Sequence, residues 1–282
     1  MRAAREHGAR RGICRPGSRR ALAAPVPRTV VATAVTAPRP PKAIILDLDD
    51  TILDSGDPDV SWRRICAEFA GNFDDGVTPA RFLAALIDAR DWFWDNDRQA
   101  REGRLDLLAA RRTIFGRALA CLGVASPEQA LVDAMARRYT VLRDQAVTPF
   151  RGALAALERL RGSGLKLALL TNGSTEMQWR KIRHFRLAGF FDHIQVEGDL
   201  GFGKPDARAF RYALAALDVT PEKAWMVGDN LLADIEGAQR AGIFAVWMDA
   251  HGSGLDTRDG VTPDQVVNSL DELLETLPGR DP

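Results

Sequence analysis

The stretch AIILDLDDTILD, residues 43–54, decides the reading of this chain. Ile44, Ile45, Leu46 and Leu48 surround acids, and Asp47, Asp49 and Asp50 fall within four positions. Acids are depleted in strands and costly to bury unpaired. Carboxylates at the end of so strand-like a segment have two readings. One is a strand end running into a turn, which favours Asp. The other is a site that holds a cation and needs an acidic nucleophile.

The rest of the chain bounds the choice. At 282 residues it can hold one large domain, or a core domain with a smaller companion. It is 46% hydrophobic and 27% charged, ordinary for a globular protein. Formal net charge is zero but uneven: residues 1–40 carry nine Arg against one acid, Glu6, leaving an excess of about eight negative charges on the remainder. An acidic body gives no support to nucleic-acid binding by the folded part. Cys14, Cys66 and Cys121 are widely spaced with no CxxC pair, which argues against a disulfide scaffold or zinc site and fits a reducing, cytoplasmic setting. No run of 18 apolar residues is present, so no membrane span is expected.

Residues 1–41 are Arg- and Pro-rich, lack periodicity beyond a short TVVATAV, and read as a disordered basic tail. Sharper readings compete. A secretory signal is interrupted by Pro25, Pro27 and Arg28, and a transit peptide would be richer in Ser than the single Ser18. Translation starting downstream, or a tail with a weak anionic partner such as nucleic acid, would also account for it.

Beyond the tail, strand and helix signals alternate. KAIILDLD reads as a buried strand. Residues 55–148 lack clear strands and read as a helical insertion, with one helix starting after Thr78 at Pro79. From residue 149 the units LKLALLTN, HIQVEG, KAWMVGD and IFAVWMD read as strands between helices. That alternation predicts an α/β fold, a Rossmann-like doubly wound parallel sheet, formed by residues 42–54 and 149–282. Ligands in such sheets sit beyond the carboxyl ends of the strands. If Asp47 and Asp49 are functional, other polar groups should gather at the same edge.

They do. One strand ends in Thr171-Asn172-Gly173, another in Gly228-Asp229-Asn230 with Asp234 in the next helix, and Lys204 stands just before a helix start in GFGKPD. Asp47 and Asp229 can offer hard oxygen ligands to Mg²⁺, which prefers carboxylates, water and phosphate oxygens. Such a cation lowers repulsion between an anionic nucleophile and an anionic substrate. Thr171 and nearby amides can donate to phosphoryl oxygens, and Lys204 can hold Asp47 ionised and offset transition-state charge. Asp47 would attack to form an aspartyl-phosphate, which water then hydrolyses. Asp49 could protonate the leaving oxygen and later deprotonate that water.

In order, DLDDT, TNG, GxxKPD and GDNxxxxD resemble the four motifs of the haloacid dehalogenase superfamily of phosphohydrolases, over roughly residues 42–250. The resemblance implies Asp47 as nucleophile and Asp49 as acid/base with its main-chain carbonyl on Mg²⁺. It also implies Thr171, Asn172 and Lys204 on the phosphoryl group and Asp229 on the metal. Asp234 is either a metal ligand or a support for one. The insertion, residues 55–148, resembles the helical cap of subfamily I. The expected activity is a Mg²⁺-dependent phosphatase acting on a small-metabolite phosphomonoester. A phosphomutase, or a non-catalytic binding protein retaining the fold, are the alternatives. A true dehalogenase is disfavoured because it needs no acid at Asp49. TNGSTEMQ and VWMD resemble pyrimidine nucleotidase-like and acylneuraminate phosphatase-like members, yet the substrate stays open. In the insertion, Trp92, Trp94 and Arg101 are candidates for substrate specificity. Asp50 and Asp54 read as turn caps, Arg98 and Arg104 as solvent-facing, and His184 and His193 as packing or surface residues.

Overall fold

The computed structural model describes residues 40–73, 76–124, 127–255 and 260–277; the basic segment 1–39 lies outside them, and with it most of the expected tail. Six strands form one parallel sheet: β1 (Ala43–Leu46), β4 (Lys166–Thr171), β5 (His193–Val196), β6 (Ala224–Gly228), β7 (Phe244–Met248) and β8 (Gln265–Val267). Their order is β5-β4-β1-β6-β7-β8, which places β1 between β4 and β6. A separate two-stranded antiparallel ladder joins β2 (Leu53–Asp54) to β3 (Thr148–Pro149), pairing Leu53 with Pro149 and Asp54 with Thr148.

The unbroken apolar run of β1 has a direct cause. Both faces of the strand are covered, so both must be apolar. Ile44 and Leu46 enter a core with helices α6 (Ala153–Gly162) and α11 (Leu270–Thr276), contributed by Leu157, Leu160, Leu273 and Leu274. Ala43 and Ile45 enter the opposite core, where α9 (Ala207–Leu217) supplies Phe210, Ala213 and Leu217. Ile44, Ile45 and Leu46 are fully buried, each contributing on the order of 1.5–3 kcal/mol of apolar burial.

Between β2 and β3 the described residues form five α-helices, α1 (Pro58–Phe69), α2 (Pro79–Trp94), α3 (Asp97–Leu105), α4 (Leu107–Cys121) and α5 (Gln129–Ala146), with a 3-10 turn over Ala70–Asn72. Helices α1, α2, α4 and α5 close around a core of their own that includes Phe82, Leu86, Phe115 and Met135. In it Trp62 stacks on Tyr139 with ring centroids 3.8 Å apart, and Phe115 meets Trp62 edge-on. The start of α2 follows the expected signal: Thr78 Oγ1 accepts from Arg81 N–H, with Pro79 at the first helical position.

Three features differ from the expectation. Strand β8 and the β2–β3 ladder are too short to show a periodic pattern, spanning three and two residues. The helix expected to carry Asp234 begins as a π-turn over Leu231–Glu236 before narrowing into α10 (Gly237–Arg240). Asn230 starts it, its Oδ1 accepting from the N–H groups of Leu232 and Ala233.

Candidate active site at the carboxyl edge of the sheet

Because β1 is central, the residues that follow it, β4 and β6 meet beyond one sheet edge. Asp47 N–H still donates to Val227 O of β6 at 2.9 Å, so the strand pairing holds Asp47 at the mouth of the core. The chain then turns sharply. Asp50 takes a left-handed conformation (φ 54°), which Asp tolerates better than most residues. Asp50 Oδ1 accepts from Ser55 N–H, and Asp54 Oδ1 accepts from Gly56 N–H. Both acids are thus occupied in turns.

Lys204 lies at the centre of the site. Its ammonium is buried, 2.5 Å from Asp47 Oδ1 and 2.7 Å from Asp234 Oδ1. Asp234 is fully buried, and its other oxygen accepts from Asn230 N–H. At Gly228 any side chain would collide with the Asp234 carboxylate, so glycine is required there for Asp234 to reach Lys204. Asp229 is fixed through its carbonyl, which accepts from Trp247 Nε1 at 2.6 Å.

Ligand oxygens of Asp47, Asp229 and Asp234 lie within 4.8 Å of one another. Three carboxylates with one ammonium leave an excess of two negative charges. The proton affinities register it. Burial, then Asp47 and Asp234, push Asp229 up to about 9. Burial pushes Asp47 up to about 7, Lys204 opposing and Asp234 adding to the rise. For Lys204 burial alone would depress the value, but Asp234 and Asp47 outweigh it and the ammonium is held above its usual range. A hard divalent cation would neutralise this excess, and the all-oxygen donor set suits one.

Around that core stand groups the sequence left unmarked. Asp49, two residues past Asp47, receives Lys181 Nζ on both oxygens at 2.7 and 2.8 Å and Gln178 Nε2 on Oδ2 at 2.9 Å. Both partners lie on α7 (Thr175–His184). Thr171 is buried, its Oγ1 accepting from the same Gln178 amide. Asn172 differs from its expected role. Its side chain clasps the backbone of Lys204, Nδ2 donating to the carbonyl and Oδ1 accepting from the N–H, so both of its polar ends are engaged within the protein.

A cavity of about 640 Å³ opens over these groups and is roofed by Asp97, Arg101 and Arg104 of α3. Arg101 Nη2 donates to Gly201 O. Arg104, expected in solvent, instead forms an ion pair with buried Glu197. Trp92 and Trp94 do not line the cavity. The inward stripe of α2 is Phe82, Leu86, Ala89 and Phe93, which turns the two flanking Trp side chains away. Trp92 lies beneath the Arg117 guanidinium and Trp94 packs edge-on to Phe93. Arg98 pairs with Glu102 in solvent. His184 packs edge-on to Phe185; His193, its imidazole pushed down by burial, lies beside Tyr212.

Comparison with known proteins identifies the family and fold. The family model of the haloacid dehalogenase-like hydrolases matches residues 41–242. A phosphoserine phosphatase of Thermus thermophilus is 36% identical over 261 residues, covering 83% of this chain and 98% of the relative. A glyceraldehyde 3-phosphate phosphatase of Methanopyrus kandleri is 29% identical over 241 residues, covering 84% and 97%. Among solved structures, the magnesium-bound HAD-hydrolase YfnB of Bacillus subtilis superposes with a TM-score of 0.64 at 24% identity, covering 85% of this chain and all of that one. The chain belongs to the haloacid dehalogenase-like hydrolases. It is an enzyme of their phosphoric monoester hydrolase type.

Proposed function

We propose that the protein hydrolyses a small phosphorylated metabolite through an aspartyl-phosphate on Asp47. The observation that carries this reading is the buried Lys204 ammonium 2.5 Å from Asp47 Oδ1, with Thr171 and Asn172 beside it at the same sheet edge. Asp47, Asp229 and the main-chain carbonyl of Asp49 would hold Mg²⁺, which when bound supplies positive charge that screens the phosphoryl oxygens from the attacking carboxylate. Asp234, already engaged by Lys204 and Asn230 N–H, would keep the ammonium in place.

The Asp47 carboxylate attacks phosphorus, and the bond from phosphorus to the leaving oxygen breaks. Asp49, entering this step protonated, gives that oxygen its proton and is left as the carboxylate. Asp49 then takes a proton from water, whose oxygen attacks the phosphorus of the aspartyl-phosphate and releases inorganic phosphate and free Asp47. Thr171 Oγ1, the backbone amides beyond β1 and β4, and Lys204 donate to the phosphoryl oxygens throughout. The helices between β2 and β3 act as a cap whose α3 face meets the leaving group. Its residues Asp97 and Arg101 present both signs of charge, which suits a short, polar leaving group. Phosphoserine and glyceraldehyde 3-phosphate, named for the relatives, therefore head the substrate panel.

Release of inorganic phosphate across phosphorylated metabolites, with Mg²⁺ against EDTA, tests the reading. Mg²⁺-dependent release without a bisphosphate primer is expected. A strict need for a primer would indicate a mutase, and no turnover on any member would indicate a binding protein.

A further inference from the structure

Helix α7 brings two side chains back onto the end of β1. Gln178 and Lys181 are three residues apart, a spacing that puts them on one helix face. Both reach Asp49, from 129 and 132 residues further along the chain. Lys181 donates to both Asp49 oxygens and Gln178 donates to one of them. Gln178 is itself fixed. Its Oε1 accepts from Lys181 Nζ at 2.9 Å, and its Nε2 also faces Thr171 Oγ1 at 2.5 Å and the Asn172 carbonyl at 2.9 Å. The Gln178 side chain is buried, that of Lys181 is 17% exposed and that of Asp49 29%, so the contacts are partly shielded from competing water.

An aspartate side chain has several rotamers of similar energy. A proton donor works only in the one that reaches the leaving oxygen, and a misplacement of about 1 Å can cost on the order of 10²-fold in rate. We propose that Lys181 and Gln178 are positioning residues for Asp49: together they hold its carboxylate in a single orientation and tie that orientation to Thr171. One amide thereby sets the distance between the proton-transfer group and the phosphoryl-binding hydroxyl. The inference rests on the reading of Asp49 as acid/base.

The test compares wild type with K181M, K181R and K181Q on an alkyl phosphate and on p-nitrophenyl phosphate, with melting temperature as the check on folding. The alkoxide needs its proton, whereas nitrophenolate leaves unaided. In K181M the kcat on the alkyl phosphate is expected to fall by about 10–100-fold with KM nearly unchanged, while the pre-steady-state burst of nitrophenolate slows by only about threefold or less. K181R, which keeps the charge and donors, should recover most of the loss. Equal loss on both reactions, no loss on the alkyl phosphate, or K181R no better than K181M would each overturn the positioning role. Should K181M not fold, K181Q is judged by the same pair of reactions. A wild-type enzyme without Mg²⁺-dependent phosphate release would overturn the reading of the site itself, a result separate from any of these.

Discussion

Arg104 and Glu197 meet as a two-point ion pair, Nε to Oε2 at 2.7 Å and Nη2 to Oε1 at 2.9 Å. One belongs to α3 of the helical insertion and the other to the short helix α8 (Glu197–Leu200) that follows β5. Glu197 is 1% exposed and also accepts from Gly173 N–H, so the contact links the insertion to the TNG loop. Removing the guanidinium strands a buried charge. Arg104→Ala is expected to destabilise the protein by about 2–4 kcal/mol, and Arg104→Ala with Glu197→Gln by less than the two single changes together. Urea denaturation of the four proteins in a double-mutant cycle measures it; additive changes would show the pair to be energetically idle.

Asp49→Asn separates proton transfer from phosphoryl binding. Its main-chain carbonyl is unchanged, but no proton is available for an alkoxide. Turnover of an alkyl phosphate should fall by about 10²–10⁴-fold. With p-nitrophenyl phosphate the first chemical step survives and the second stalls. Rapid-quench kinetics should then show a burst of about one nitrophenolate per site before a slow phase, as expected for an accumulating covalent intermediate. Burst and turnover lost in equal measure would remove Asp49 from the acid/base role.

Metal removal should make stability depend on pH. With no cation, burial and the neighbouring carboxylates hold Asp229 up to about 9, and burial holds Asp47 up to about 7. Both lie above an ordinary aspartate value of about 4, so the stabilisation from their protonated forms is complete below about pH 4 and is lost as pH rises through both values. In EDTA the melting temperature should therefore fall from about pH 4 and level off above about pH 9, and Mg²⁺, which binds the ionised carboxylates, should flatten that fall. Thermal melts with and without Mg²⁺ decide it, and parallel curves would argue against a cation at these three acids.

Trp92 and Arg101 should now part company. Arg101 borders the cavity over Thr171 and Lys204, whereas Trp92 lies under Arg117 outside it. Arg101→Ala should reorder the preference among substrates with little effect on the smallest phosphate. Trp92→Ala should leave kcat/KM within about twofold on every substrate, as expected for a group away from the reacting atoms. Specificity profiles of the two variants provide the comparison.

What the sequence disclosed and what it withheld follow from range. Asp47, Thr171, Lys204 and Asp229 follow or lie near strand ends, and one rule about parallel sheets gathers them without any coordinates. The apolar run at 43–46 is legible because both faces of β1 are covered. Gln178, Lys181 and Glu197 have no such local mark. On the sequence they are an ordinary polar helix face and a strand-end acid, and their meaning comes from partners about a hundred residues away. The stripe Phe82, Leu86, Ala89 and Phe93 was present in the sequence and would have turned Trp92 and Trp94 away from the cavity. The π-turn at Leu231 carries no compositional signal that would distinguish it from an α-helix.

The ladder between Leu53–Asp54 and Thr148–Pro149 makes the two ends of the helical insertion neighbours of each other. A segment attached in this way behaves like a detachable handle. Its own core travels with it, but any replacement must supply a new partner for buried Glu197, which Arg104 pairs here. In the proposed mechanism proton transfer and phosphoryl chemistry would reside in the part that stays, and contact with the rest of the substrate largely in the part that can be exchanged. For an engineer, new substrate ranges are reached by swapping one continuous stretch of gene, with two splice points lying side by side and no strand of the main sheet cut.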